Sequence, residues 1–139
     1  MNRKKKWTQR LYDGKTHEIK PAPISIAGVK AGQLMLVPTA RMVDEFIRGL
    51  PKGRSMNAKE LRQAMATAHG AEVTCPITTG FHLRTVAEAA WEALSSGAPI
   101  HSLTPVWRVL PADALTLKKV SFDIRFIQRQ RALEGLDSE

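Results

Sequence analysis

The residues with the clearest capacity for chemistry lie at the start of a helix predicted after Cys75. The hydroxyl of Thr78 or Thr79 can accept a bond from the first unpaired backbone amides, which predicts a helix that starts near Gly80. Arg84 follows in the first turns, away from the apolar face. Because free amides and the helix dipole favour an anion at such an end, the stretch predicts a phosphate site. A solvent-exposed arginine on an ordinary amphipathic helix explains it equally well.

A second candidate lies in the segment 105–110, Pro-Val-Trp-Arg-Val-Leu, which we expect to be extended. Trp107 could stack on an unpaired base, a contact worth about 1 to 3 kcal/mol, or could be a core residue. Arg108 could bind a phosphate or pair with Glu134 inside the fold.

The single cysteine, Cys75, is a candidate nucleophile. The helix that follows and Arg84 would favour its thiolate, with His69 or His82 as a base within reach. The alternative is a small apolar residue in a packed position.

Composition limits the classes of protein. With 139 residues, 43% of them hydrophobic, the chain can build the core of one domain, and its net charge of +8 favours a polyanionic partner. It contains no apolar run of about 20 residues and no signal-like leader, so we expect a cytoplasmic, nucleoid-associated protein without membrane contact. One cysteine excludes a disulfide framework, and we expect no metal, no cofactor and no catalytic residue.

Hydrophobic periodicity predicts four helices. The first is capped by Thr39 and ended by 51–53, and a short strand at 54–56 precedes the second, which starts with a capping box of Asn57 and Glu60 and ends at 69–70. In the third, the recognition helix, Glu88 and Glu92 should face outward; in the last, capped by Ser121, the arginines should face outward. The predicted inward residues are Val43, Phe46, Ile47 and Leu50; Leu61, Ala64, Met65 and Ala68; Leu83, Val86, Ala87, Ala90, Trp91 and Leu94; and Phe122, Phe126, Ile127, Leu133 and Leu136, with Arg125, Arg129 and Arg131 outside.

The N-terminal part carries weaker signals. Residues 1–20 are basic and aperiodic, which indicates a flexible arm along phosphates or a solvated tail. Two apolar runs, 24–29 and 34–37, predict a loose hairpin or one edge strand. We therefore divide the chain into a basic arm with a loosely structured extension at 1–38 and a domain at 39–139. The order of elements predicts a mainly α fold with short strands, winged-helix-like with a helix-turn-helix.

From about Thr39 to Gly135 the chain resembles the DNA-binding domain of the O6-alkylguanine-DNA alkyltransferases and their non-catalytic relatives, the alkyltransferase-like proteins. The resemblance rests on the order and spacing of short motifs, none of them specific alone. They are Leu50-Pro51-Lys52-Gly53-Arg54, Ala58-Lys59-Glu60-Leu61, Arg84-Thr85-Val86, Gly97-Ala98-Pro99-Ile100, Pro105-Val106-Trp107-Arg108-Val109 and Ala132-Leu133-Glu134-Gly135.

The resemblance implies a winged-helix domain of the alkyltransferase C-terminal type that binds double-stranded DNA. Arg84 matches the arginine that enters the base stack through the minor groove in that family. Val106 stands at the position of the acceptor cysteine and Trp107 at that of its activating histidine, so alkyl transfer should be absent. Ala58 stands where the family has a tyrosine that helps rotate the target nucleotide, which puts base flipping in doubt.

These observations predict a non-enzymatic, monomeric DNA-binding protein that senses alkylated or otherwise modified bases in DNA repair and passes them to a repair-pathway protein. Three alternatives stay open: a general or sequence-specific DNA-binding protein without a lesion pocket, a repair enzyme that uses Cys75, and an RNA- or ribosome-associated protein. The predicted DNA-binding residues are Arg84, Thr78, Thr79, Gly80, Arg54, Asn57 and Lys59, and the predicted base pocket consists of Val106, Trp107, Arg108 and Cys75.

Overall fold

Five α-helices and one small sheet make up the fold in the computed structural model, which describes residues 6–137. The predicted class, mainly α with short strands, is confirmed. Three short 3-10 helices, Ile100–Ser102, Val106–Val109 and Leu115–Lys118, separate the last two α-helices. The α-helices are α1 Trp7–Arg10, α2 Ala40–Arg48, α3 Ala58–Ala68, α4 Pro76–Ser95 and α5 Arg125–Leu133, and the strands are β1 Glu18–Pro21, β2 Leu34–Val37 and β3 Val73–Thr74.

The sheet has the strand order β1-β2-β3. Strand β2 pairs antiparallel with β1, with Glu18 opposite Val37, and parallel with β3, with Leu36 opposite Thr74. The predicted hairpin partner of β2 is wrong: residues 24–29 contribute only an isolated bridge between Ile26 and Val29. The true partner, β1, lies in the stretch predicted to be a flexible arm, because exposed strand residues carry no apolar alternation for a sequence pattern to detect.

Both α2 and α3 begin where their caps predict. The Thr39 hydroxyl accepts the amide of Met42 at 3.1 Å, and Asn57 and Glu60 form a reciprocal capping box. The predicted strand at 54–56 is wrong, since this segment is irregular. Instead, the amide of Met56 donates to the carbonyl of Arg108 at 2.9 Å, which ties this loop to the 3-10 helix Val106–Val109.

Helix α4 is the centre of the fold. It contacts α1, α2 and the 3-10 helices Val106–Val109 and Leu115–Lys118, and every residue from Val86 to Ala90 is buried. Its predicted start near Gly80 is wrong, because Pro76, whose fixed φ suits the first helical position, starts it one turn earlier with Cys75 as the cap. Although α4 has 20 residues, no helix among residues 6–137 is long and apolar enough to cross a membrane.

The outward direction predicted for Glu88 is wrong. Glu88 is buried, and its carboxylate accepts bonds from the amide of Ser121 at 2.8 Å and from the Ser121 hydroxyl at 2.6 Å. Ser121 is therefore engaged by α4 and does not cap the last helix, which starts at Arg125. A carboxylate on the core side of α4 is thus satisfied by a segment 33 residues away in the chain.

Helix α5 departs from its predicted faces at two positions. Arg131, expected outside, is buried; it donates to the carbonyl of Trp107 at 2.7 Å and to the Ser55 hydroxyl at 3.1 Å, and it pairs with Asp137 at 2.9 Å. Leu133, expected inside, is 71% exposed. Arg131 is satisfied by these three partners, so α5 buries a cation as a structural bridge where the periodicity predicted a solvent-exposed side chain.

The N-terminal stretch predicted to be a flexible arm contains α1, and for residues 7–10 that prediction is wrong. The carboxylate of Glu92 accepts the amides of Trp7 and Thr8 at 3.1 and 3.2 Å and the Thr8 hydroxyl at 2.8 Å. These bonds attach α1 to α4. The remaining part of the predicted basic run, residues 1–5, lies outside the described residues.

Candidate nucleic-acid interface

A cavity of about 360 Å³ opens between α3, the first half of α4 and the segment 109–119. This size falls within the range of about 300 to 1,000 Å³ typical of small-molecule pockets. Its inner wall is mainly apolar. The lining residues are Ala58, Arg62, Pro76, Ile77, Thr79, Gly80, Phe81, Leu83, Arg84, Val109, Leu110, Ala114, Leu115, Thr116 and Lys119.

The charged groups of this lining are all cationic. Arg62 comes from α3, Arg84 from α4 and Lys119 from the segment that follows the 3-10 helix Leu115–Lys118. No carboxylate belongs to the lining. The cavity mouth therefore carries the positive potential that attracts phosphate.

Large apolar side chains stand exposed at the mouth of the cavity. Phe81 is 69% exposed and Leu115 is 71% exposed, and Ile77 lies one turn before Phe81 on α4. Exposed apolar side chains grouped beside cations mark interaction surfaces, and phenylalanine and leucine are residues that insert between bases.

Arg84 lies in the third turn of α4, because the helix begins at Pro76. Its Nε is 3.6 Å from Glu88 Oε2, which is an ion-pair distance but too long for a hydrogen bond, and this buried nitrogen has no hydrogen-bond partner among residues 6–137. Its guanidinium carbon lies 5.2 Å from the centre of the Trp7 ring. The side chain is 41% exposed, so its outer nitrogens are available to a phosphate or a base.

The three other residues predicted at the helix start serve the first turn. The hydroxyl of Thr78 donates to Cys75 Sγ at 3.1 Å, and that of Thr79, which is buried, donates to the carbonyl of Cys75 at 2.7 Å. Gly80 lines the cavity, where no side chain blocks the approach of a ligand. The first turn of α4 thus lies at the cavity wall, one turn earlier than predicted, with the amides of Thr78 and Thr79 directed to Cys75.

The residues predicted on the loop before α3 and on α3 itself are exposed. Arg54 lies in the loop, and the Asn57 side chain accepts the amide of Glu60 at 2.8 Å, so Asn57 stabilises the helix start. Lys59 lines a separate shallow pocket against residues 27–29. The cavity receives its α3 contributions from Ala58 and Arg62.

The structure does not bring the four residues of the predicted base pocket together. Val106 is fully buried, and Trp107, which is 4% exposed, packs edge-on against Phe126 with ring centres 6.0 Å apart. Cys75 packs with Val29 in a different apolar cluster. Trp107 is therefore a core residue, one of the two alternatives that the sequence left open, and its small exposed part lies with Arg108 in a groove separate from the cavity at Arg84.

Arg108 forms the internal pair with Glu134 and not a phosphate contact. Arg108 Nε lies 2.9 Å from Glu134 Oε1, Trp107 Nε1 donates to Oε2 at 2.7 Å, and the Gly53 amide donates to Oε1 at 3.0 Å. Burial raises the pKa of Glu134, but the bonds from Arg108, Gly53 and Trp107 outweigh it and lower the pKa from 4.5 to about 2. A positive φ of 85° at Gly53 turns its amide toward this carboxylate.

The histidines predicted beside Cys75 have other partners. The Nε2 atom of His82 lies 2.9 Å from the carbonyl oxygen of Pro38, and burial lowers the pKa of His82 despite that bond. The ring of His69 lies 5.3 Å from that of His17. Cys75 Sγ contacts Thr78, so the thiol acts as the cap of α4.

Sequence reasoning missed Phe81, Arg62 and Lys119. Phe81 offered a usable signal, because an aromatic residue three positions before Arg84 falls outside the apolar face defined by Leu83, Val86 and Ala87. Arg62 and Lys119 offered none, since they meet only through the packing of α3 and the segment 109–119 on α4.

No group of three or more histidine, cysteine, aspartate or glutamate side chains within residues 6–137 is arranged to hold a metal ion. Comparison with known proteins gave no match to a protein-family model, a curated protein sequence or a solved structure.

Proposed function

We propose that the protein binds double-stranded DNA through the cavity mouth and accommodates an unpaired or modified base in the cavity, without reacting with it. The observation that carries this proposal is a base-sized cavity whose charged lining is entirely cationic and whose mouth exposes Phe81. The motif resemblance of residues 39–135 to alkyltransferase-like proteins supports a DNA contact at Arg84, although it implies a base pocket at Val106–Arg108 and not in this cavity.

Phosphate would be held by Arg62, Arg84 and Lys119. These side chains come from three different segments, so they can contact successive phosphates on either side of an extruded nucleotide. A protein with a net charge of +8 adds a long-range attraction to this local set.

The base would meet an apolar wall. Leu83, Val109 and Leu110 form the interior of the cavity, and Thr79 and Thr116 contribute hydroxyls. Phe81 can fill the gap that the displaced base leaves in the stack, as apolar wedges do in proteins that kink DNA. The lining contains no cysteine, histidine or carboxylate, and so no nucleophile with a base beside it. Binding without chemistry is the reading these residues favour.

The experiment that tests this proposal is fluorescence-anisotropy binding to paired duplexes that differ only by one O6-methylguanine. Tighter binding to the modified duplex would support a sensor of modified bases. Equal and strongly salt-dependent binding would favour a general DNA-binding protein that uses the same surface, and absence of binding to both duplexes would refute the proposal. Preference for RNA in competition would favour the RNA-associated alternative, and a covalent adduct that Cys75→Ala abolishes would favour the enzymatic one.

Two substitutions test the surface itself. Arg84→Ala removes one phosphate contact and Phe81→Ala removes the wedge, and each should weaken DNA binding by about 1 to 3 kcal/mol, or roughly 5- to 150-fold. Arg41→Ala is the matched control, since Arg41 is exposed on α2 and lines a different pocket. Equal affinities of Arg84→Ala, Phe81→Ala and the control variant would place the DNA on another surface.

A further inference from the structure

A second groove, of about 740 Å³, shares no lining residue with the cavity at α4. Its walls come from the end of α2, the segment 100–108 and α5. Within the segment 100–119, the residues up to Arg108 line the second groove and those from Val109 onward line the cavity. The two sites can therefore be altered independently.

The titratable groups that face solvent in this groove are basic. Arg48, Lys52 and His101 are exposed, whereas the single carboxylate of the lining, Glu134, is inside and its two oxygens accept bonds from Arg108, Trp107 and Gly53. Lys52 has no hydrogen-bond or ion-pair partner in the described part of the chain. Arg48, by contrast, already donates to Asp44 at 3.1 Å and to the carbonyl of Ser102 at 3.2 Å, so Lys52 is the exposed cation that the groove offers without a competing anion.

Gln130 supplies an uncommitted amide. The residue is only 7% exposed, yet its carboxamide has no hydrogen-bond partner among residues 6–137, and its polar atoms keep contact with the groove that it lines. The Gln130 amide atoms therefore face the groove, where a ligand can bond to them in place of water. Because a carboxamide both donates and accepts, it is complementary to a peptide backbone unit.

Apolar groups complete the groove. Leu133 is 71% exposed at one side and Ile100 is exposed at the other, with Leu103 and Pro105 buried between them. An apolar rim of this kind gains nothing from a sugar-phosphate backbone but can bury an aliphatic or aromatic side chain. The combination favours a peptide over a nucleic acid.

We propose that this groove binds a short acidic segment of a partner protein. A carboxylate of the segment pairs with Lys52, an apolar side chain packs between Leu133 and Ile100, and a backbone amide bonds to Gln130. The proposal does not depend on the DNA-binding function, because it uses none of the residues assigned to that surface.

The test is selection of binders from a phage-displayed library of random dodecapeptides on the full-length protein, followed by anisotropy titration of the best peptide in synthetic form. We expect the selected sequences to combine aspartate or glutamate with leucine, isoleucine or phenylalanine. Lys52→Glu should lower the affinity for the synthetic peptide by about tenfold or more. Gln130→Ala should lower it by about threefold to tenfold. Circular dichroism and thermal melting of each variant establish that it is folded.

Lys119→Glu is the matched charge reversal on the other site. It should weaken DNA binding and leave the peptide affinity unchanged. Lys52→Glu should weaken peptide binding and leave the DNA affinity unchanged. Failure to select any peptide, selection of sequences without acidic residues, loss of peptide binding in Lys119→Glu, or displacement of the peptide by duplex DNA would each overturn the proposal.

Discussion

Glu134 joins three separate parts of the chain in one set of hydrogen bonds. Glu134 directly follows the end of α5. Its carboxylate accepts bonds from Gly53, which precedes α3, and from Trp107 and Arg108 in the 3-10 helix Val106–Val109. The side chain of Arg108 is also mostly buried and donates to the carbonyl of Leu50 at 2.8 Å. Removing either charge would leave the other buried without a counter-ion.

The lowered pKa of Glu134 predicts a specific loss of stability in acid. The folded protein holds this carboxylate ionised down to about pH 2, whereas the unfolded chain protonates it near 4.5. Its contribution is therefore complete above pH 4.5 and is lost as the pH falls toward 2; the interval corresponds to about 3 kcal/mol. Glu134→Gln should be less stable at neutral pH and should show a flatter pH dependence below 5, measured by urea unfolding at several pH values. Parallel curves for the parent and the variant would mean that Glu134 does not carry this dependence.

Helix α3 buries Leu61, Met65 and Ala66 of its eleven residues, and its capping box adds a separate contribution at its start. Asn57→Ala removes the acceptor for the Glu60 amide and should cost about 1 kcal/mol of unfolding free energy. Thermal or urea unfolding measures this cost. Asn57→Asp, which retains an acceptor, should be close to the parent, and a loss as large as that of Asn57→Ala would show that capping is not the role of Asn57.

Helix α1 is attached by side chain to backbone bonds more than by burial. Burial raises the pKa of Glu92, but its bonds with Thr8 and Trp7 outweigh that effect and lower the pKa, so the attachment is complete above the ordinary glutamate range and weakens as the pH falls through the lowered value. Glu92→Gln should speed tryptic cleavage after Arg10 at neutral pH, with little change in the melting temperature. Asp113→Asn removes the same charge from an exposed loop and should leave the cleavage rate unchanged. Equal rates for the two variants would contradict the attachment.

Local patterns in the sequence predicted the elements whose signals are local. The caps of α2 and α3 and the inward residues Leu83, Val86 and Ala87 of α4 need only the neighbouring residues to be recognised, and the structure has them as predicted. Glu88 and Arg131 were assigned to the wrong side because their partners, Ser121 and Trp107, lie 33 and 24 residues away. Of the candidate site, Thr79, Gly80 and Arg84 were identified in advance, while the cavity, Arg62 and Lys119 required the packing of three segments.

The distribution of charge over the chain favours a binding partner with an extended anionic surface, such as DNA. Of the basic residues that contribute to the net charge of +8, Arg3, Lys4 and Lys5 lie before α1 and outside the described residues. Deleting residues 1–5 should leave Trp7 and Thr8 in place. In a plot of the logarithm of DNA affinity against the logarithm of salt concentration, it should reduce the magnitude of the slope by about 2 to 3. Titrations at several salt concentrations measure it. An unchanged slope would mean that these residues do not contact phosphate.

Arg84 contacts Trp7 and Glu88, and the contact with Trp7 should break more easily than the contact with Glu88. Trp7 belongs to a four-residue helix held by Glu92, whereas Glu88 sits in the enclosed middle of α4. Amide hydrogen exchange should separate them: the amides of Trp7 and Thr8 exchange through local release of α1, and those around Glu88 only when the domain unfolds. When α1 is released and the rest of the domain stays folded, the protein is in an open state. In this state Glu88 still orients the Arg84 guanidinium, and the Trp7 indole no longer covers it.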